Sequence, residues 1–88
     1  MKISSEYVTT NVAGQTMVVP VGDAAQAFRG IIRLNETAKF IWDALVEGLS
    51  EAEIVEKLTE TYEVDAEKAQ KDVSAIIEQL HKAGILEL

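Results

Sequence analysis

Cysteine is absent from the 88 residues, which excludes disulfide frameworks, thiolate zinc sites, iron–sulfur clusters and cysteine nucleophiles. Proline occurs once, at Pro20, and glycine five times, so the chain is neither collagen-like nor a Pro/Gly-rich disordered segment. No apolar run approaches the roughly 20 residues that cross a bilayer. The opening Met1-Lys2-Ile3-Ser4-Ser5-Glu6 lacks the apolar stretch of a secretory signal, and the expectation is a cytoplasmic protein with no membrane association. Positive charge is scarce: eight Lys and Arg stand against 15 Asp and Glu, for a net charge of −7. The deficit is uneven. Residues 1–34 hold Lys2, Arg29 and Arg33 against Glu6 and Asp23, whereas residues 35–88 hold five lysines against thirteen carboxylates. Duplex DNA is bound largely through phosphate neutralisation by a positive face, so this balance argues against a nucleic-acid partner.

Chemistry-bearing patterns are also missing. His81 is the single histidine, and at 100° per residue it lies about 60–90° from the apolar centre of its helix, the position of a boundary residue. The serines Ser4, Ser5, Ser50 and Ser74 have no nucleophile-elbow context. Carboxylates are plentiful, yet neither an Asp-rich calcium loop nor a Glu-x-x-His pair is present, and Glu51, Glu53, Glu56, Glu60 and Glu63 read as a solvated face. The scattered glycines form no phosphate-cradling loop. No catalytic, cofactor or metal-ligating residue is assigned, and the chain is not expected to be an enzyme.

Hydrophobic residues make up 48% of the sequence, enough for a packed core, and the whole of residues 1–88 reads as one domain. Residues 7–12 are rich in β-formers, with Val8 and Val12 among polar neighbours. Ala13-Gly14-Gln15 is a turn, residues 16–21 return, and Pro20 marks a strand end or an edge position. In residues 22–30, Asp23 opens a single helical turn through Phe28, or the segment is a loop that tucks Phe28 against the core. Residues 30–34 read as a third strand. Helices follow over 35–47, 50–63 and 65–83: Asn35 and Asp65 are N-caps, Ser50 and Glu53 a capping box, and Gly48 and Gly84 C-terminal stops. Ile85, Leu86 and Leu88 form an apolar tail placed to return to the sheet. The fold class is α+β, a three-stranded antiparallel sheet followed by a three-helix bundle, like a winged helix with its sheet first.

Two features suggest binding. In a meander with the second strand central, residues 31–34 lie at an edge whose outward N–H and C=O groups can pair with an extended peptide; the alternative is that a loop or the C-terminal tail covers them. Phe40 falls about 160° from the apolar face of its helix at 100° per residue. It either packs under the 22–30 connection or stands exposed as an anchor for a partner or a homodimer.

The stretch Leu34-Asn35-Glu36-Thr37-Ala38-Lys39-Phe40-Ile41-Trp42-Asp43-Ala44-Leu45 closely resembles the signature of the PqqD family, also called RiPP recognition elements. The likeness continues through residues 50–58, Tyr62-Glu63-Val64-Asp65, Asp72-Val73 and Leu80-His81-Lys82-Ala83-Gly84-Ile85-Leu86, and so covers almost the whole chain. The resemblance implies a small winged-helix-like peptide chaperone. It would bind the leader of a ribosomally made precursor peptide as an added strand and present it to a modifying enzyme, often a radical SAM maturase. Carried onto this chain, the backbone of Ile31, Ile32, Arg33 and Leu34 would pair with the leader. Val73 and Ile77, together with Gln70, Ser74 and His81, would line the groove, and Arg33 would select an acidic leader residue. The 22–30 connection is longer than the short turn found in many members. A winged-helix DNA-binding regulator and a plain interaction or dimerisation module are the competing readings. Low-salt DNA binding would mark the first, and a dimer split by Phe40→Ser the second.

Overall fold

The computed structural model describes residues 1–22 and 32–88. The proposed Asp23 cap, the position of Phe28, and the Gly30 and Ile31 part of the third strand lie outside the described residues.

Among the described residues five strands and three helices follow one another: β1 (Lys2–Ile3), β2 (Tyr7–Val12), β3 (Gln15–Pro20), β4 (Ile32–Leu34), α1 (Glu36–Val46), α2 (Glu51–Tyr62), α3 (Ala66–Lys82) and β5 (Leu86–Glu87). The expected three-stranded antiparallel sheet is formed by β2, β3 and β4 in that order, ahead of the three helices. β3 begins one residue earlier than expected because the β2–β3 turn has only two residues. Ala13 and Gly14 both take positive φ, 53° and 80°, and Val12 pairs directly with Gln15. Two positive φ values match the right-handed twist of the flanking strands, as in a type I′ hairpin.

Register decides which face of the sheet is inside. Directly paired residues share a face, and Thr9 pairs with Val18, which is completely buried. Tyr7 and Thr9 therefore turn inward, while Val8 and Val12 remain 42% and 50% exposed. The apolar valines of β2 are thus on the outer face, contrary to what their alternation suggests. On β4, Ile32 and Leu34 face inward opposite Val18 and Thr16, and Arg33 faces outward opposite Met17.

Local chemistry fixes the helix ends. The Ala38 N–H donates to Asn35 Oδ1 at 2.8 Å, and the Lys68 N–H to Asp65 Oδ1 at 2.8 Å. Ser50 and Glu53 complete the reciprocal capping box at 3.2 and 2.9 Å. After α1, Gly48 at φ 88° lets the Gly48 N–H reach the Leu45 carbonyl and the Leu49 N–H reach the Ala44 carbonyl. This paired bonding is a Schellman motif. Gly84 repeats it after α3, with Ile85 donating to Leu80 and Gly84 to His81.

The C-terminal tail does not join the three-stranded sheet. β5 pairs with β1 in a separate two-stranded sheet, Lys2 opposite Glu87 and Ile3 opposite Leu86. Burying Ile85 and Leu86 against the helices is what holds this pair in place, since two residues of ladder alone are insufficient. The core lies between the inner sheet face and the helices, centred on Val18, Ile41, Leu45, Ile54, Leu58 and Leu80. Among the described residues no polar side chain is buried.

Candidate functional site

β4 has β3 on one side, and among the described residues no strand lies on the other. An edge strand directs alternate backbone groups away from its sheet, where they can template another chain. The C-terminal tail, which could have covered this edge, is engaged with β1 instead.

At the end of β4 the chain enters α1, and a cleft of about 260 Å³ opens between the start of α1 and α3. Asn35, Thr37, Ala38 and Ile41 form one wall; Lys68, Asp72, Ala75 and Ile76 form the other. Lys68 Nζ holds Asp72 Oδ2 at 3.1 Å along the α3 wall. At 100° per residue these four α3 residues fall on one flank of the helix, to one side of the Ala69–Val73–Leu80 line that faces the core.

The residues expected to line the groove are distributed differently. Val73 is completely buried, so it supports the helix from beneath and presents no surface. Gln70 and Ser74 lie on the opposite flank, where both donate to Glu51 Oε1 at 2.9 Å and tie α3 to α2. The half-buried Ile77 and exposed His81 fall on that same flank by helical spacing. Only Ile32, Arg33 and Leu34 stand at the open edge; Ile31 lies outside the described residues. Ile76 belongs to the apolar face of its helix in the sequence, whereas Lys68, Asp72 and Ala75 carry no sequence signal for this place.

A second, larger cleft of about 750 Å³ lies on the other side of α1. The hairpin tip (Gly14, Gln15, Thr16), Arg33 and Leu34 of β4, and Glu36, Lys39, Phe40 and Asp43 of α1 surround it, with Tyr62 from the end of α2. Phe40 meets Tyr62 edge to face, with ring centroids 5.5 Å apart. Among the described residues Phe40 thus packs on an aromatic ring of α2, and its expected packing under the 22–30 connection falls on residues outside those described. Lys39 is paired with Asp43 at 2.6 Å, whereas Arg33 has no ion pair among the described residues. No group of three or more His, Asp or Glu among the described residues could hold a metal ion.

The fold and its edge define a small α+β domain in which a β-strand, paired on one side only among the described residues, leads through Asn35 to a cleft between two helices. The sequence model of the family described as coenzyme PQQ synthesis protein D (PqqD) matches residues 6–86, and the chain belongs to that family. Two solved structures share the fold at 25% identity. TbiB1 in complex with the TbiA(beta) leader peptide aligns with a TM-score of 0.80, over 99% of this chain and 95% of that one. Lasso peptide synthetase B1 complexed with the leader peptide aligns with a TM-score of 0.76, over 96% and 93% respectively. No curated protein gives a significant match. The likeness to the PqqD family read from residues 34–45 is thus confirmed over almost the full chain, as is the α+β fold.

Proposed function

We propose that this chain is a non-catalytic peptide chaperone: it binds the leader segment of a ribosomally made precursor peptide by strand addition and presents that peptide to a modifying enzyme. The leader pairs with the backbone of β4, continuing towards Ile31, and places side chains in the cleft between α1 and α3. The edge of β4, unpaired among the described residues and leading through Asn35 to that cleft, carries this reading, and the leader-peptide complexes of two proteins with the same fold support it.

Energetics divide between backbone and cleft. Each added main-chain hydrogen bond nets only about 0.5–1.5 kcal/mol, and a three-residue edge offers few of them. Apolar burial at about 25 cal/mol per Å² must supply most of the rest, with Ile76 and Ala75 as the apolar surface available. Arg33, exposed and without an ion pair among the described residues, favours an acidic leader residue. The chain itself carries out no chemical step; a radical SAM maturase is the class of enzyme the family resemblance suggests.

Selection from random peptides of about 20 residues, roughly 66–72 Å when extended, supplies a probe. Amide exchange of the chain is then followed by NMR with and without the strongest binder. Slowed exchange at an outward amide within residues 32–34, with shifts at Ala75 and Ile76, is the expected result. A selection that yields no binder, or a binder that leaves these amides unchanged, overturns the proposal.

A further inference from the structure

If a peptide pairs with β4, its course beyond the strand matters, because β4 is only three residues long. The sheet is antiparallel throughout, and antiparallel pairing is the more stable arrangement per residue. An antiparallel guest therefore begins opposite Leu34 and ends opposite Ile32. Its N-terminal flank then leaves the edge at the start of α1. Asn35 stands there as a wall common to both clefts.

Beyond Asn35 lies the cleft of about 750 Å³. Its size falls within the roughly 300–1,000 Å³ typical of ligand sites, whereas the 260 Å³ cleft between α1 and α3 lies below that range. Its floor carries the half-buried Phe40–Tyr62 pair, and its β4 wall is made by Arg33 and Leu34, two of the three residues of the open edge. Lys39 is already neutralised by Asp43, so Arg33 is the cation left at this wall without an ion pair among the described residues.

On the leader-binding reading, we infer that this second cleft is a further subsite for the same peptide. It receives residues on the N-terminal side of the paired strand, with an apolar or aromatic side chain against Phe40 and Tyr62 and a carboxylate near Arg33. Continuity favours the peptide as the occupant: a chain leaving the β4 edge at Leu34 crosses a single residue, Asn35, to enter. The two clefts then grip one peptide on both sides of the α1 N-terminus, and affinity depends on more of the peptide than the strand.

The test uses the strongest binder from the random-peptide selection, titrated by calorimetry as selected and after about four residues are trimmed from either end. Trimming the N-terminal side is expected to weaken binding about tenfold or more, the equivalent of about 1.4 kcal/mol, and trimming the C-terminal side to cost less. Tyr62→Ala is expected to weaken the intact peptide by a similar factor and to leave the N-terminally trimmed peptide unchanged, which marks the two as coupled. Gln15→Trp, at an exposed position of the same cleft away from β4, provides the same comparison should Tyr62→Ala fail to fold. Equal affinity of intact and N-terminally trimmed peptides, or an undiminished effect of these substitutions on the trimmed peptide, overturns the subsite while leaving strand addition standing. Loss of contact at residues 32–34 would instead overturn the leader-binding reading and this inference with it.

Discussion

Ser74 on α3 and Glu51 on α2 are joined across 23 residues of sequence by a hydrogen bond from Ser74 Oγ to Glu51 Oε1 at 2.9 Å. Gln70 Nε2 donates to the same oxygen at 2.9 Å and also to Ser74 Oγ, closing a three-membered network. Two donors converge on one carboxylate oxygen, so the network supports the roll of α3 that its buried Ala69–Val73–Leu80 face sets. That roll decides which flank of α3 faces α1.

Removing the acceptor should loosen this lock. Glu51→Ala is expected to lose about 1 kcal/mol, the combined net value of two hydrogen bonds to a partly exposed carboxylate at the low end of their range. This corresponds to a fall in Tm of about 4–8 °C for a domain of this size. Ser74→Ala should cost less, because Gln70 still reaches Glu51. Thermal denaturation followed by circular dichroism checks the order; equal Tm values for all three chains would show that the network contributes nothing.

The hairpin offers a gain in stability. Ala13 adopts φ 53° next to Gly14 at 80°, a left-handed conformation that costs an ordinary L-residue about 1–2 kcal/mol. Asparagine tolerates it, and Asn-Gly is the preferred pair for this turn. Ala13→Asn is therefore expected to stabilise the chain by roughly 0.5–1 kcal/mol, recovering part of that strain. A chemical-denaturation midpoint that stays the same or falls would contradict the turn geometry.

A pH dependence follows from the capping box. The Ser50 backbone N–H, then the Ser50 hydroxyl, and more weakly Lys57 hold the Glu53 carboxyl below its ordinary value of 4.5. A depressed folded-state pKa means the unfolded chain takes up protons first as the pH falls. The contribution of Glu53 is therefore complete above its ordinary value and is lost as the pH drops through the lower folded value. Glu53→Ala should melt below the wild-type chain at neutral pH, and the gap should narrow as the pH is lowered from about 5 to 3, across the carboxylate range. A gap independent of pH would show that the ionised carboxylate is not what caps the helix.

Helix boundaries are legible in the sequence because caps are local: Asn35, Ser50 with Glu53, Asp65, Gly48 and Gly84 act within three or four residues of themselves. The inward face of β2 is not, because it is set by the pairing of Thr9 with Val18, and the valines of β2 point the other way. The β1–β5 pair joins two-residue segments from opposite ends of the chain, too short for any periodicity to announce. At the candidate site, the existence of β4 is readable from Ile32 and its neighbours, and the strand order follows from the meander. Which flank of α3 borders the cleft is a tertiary choice, made where Gln70 and Ser74 meet Glu51 and where Ala38 and Ile41 come against Ile76. Apolarity pointed to Val73, yet the most apolar position on a helix is the one most completely buried.

That distinction separates two substitutions on α3. Val73 is fully buried, so Val73→Asp places a carboxylate in the core and is expected to unfold the chain, whatever the peptide does. Ala75 is exposed and lines the cleft beside Ile76. Ala75→Trp adds a ring that fills much of the 260 Å³ between α1 and α3 without disturbing the core. Its intrinsic helix cost is about 0.5 kcal/mol, or roughly 2–4 °C in Tm. Affinity for a selected peptide, measured by calorimetry, should fall by at least about tenfold, near 1.4 kcal/mol. Unaltered affinity in a folded Ala75→Trp chain would place the peptide elsewhere, because a side chain of that size leaves no room in the cleft for a guest.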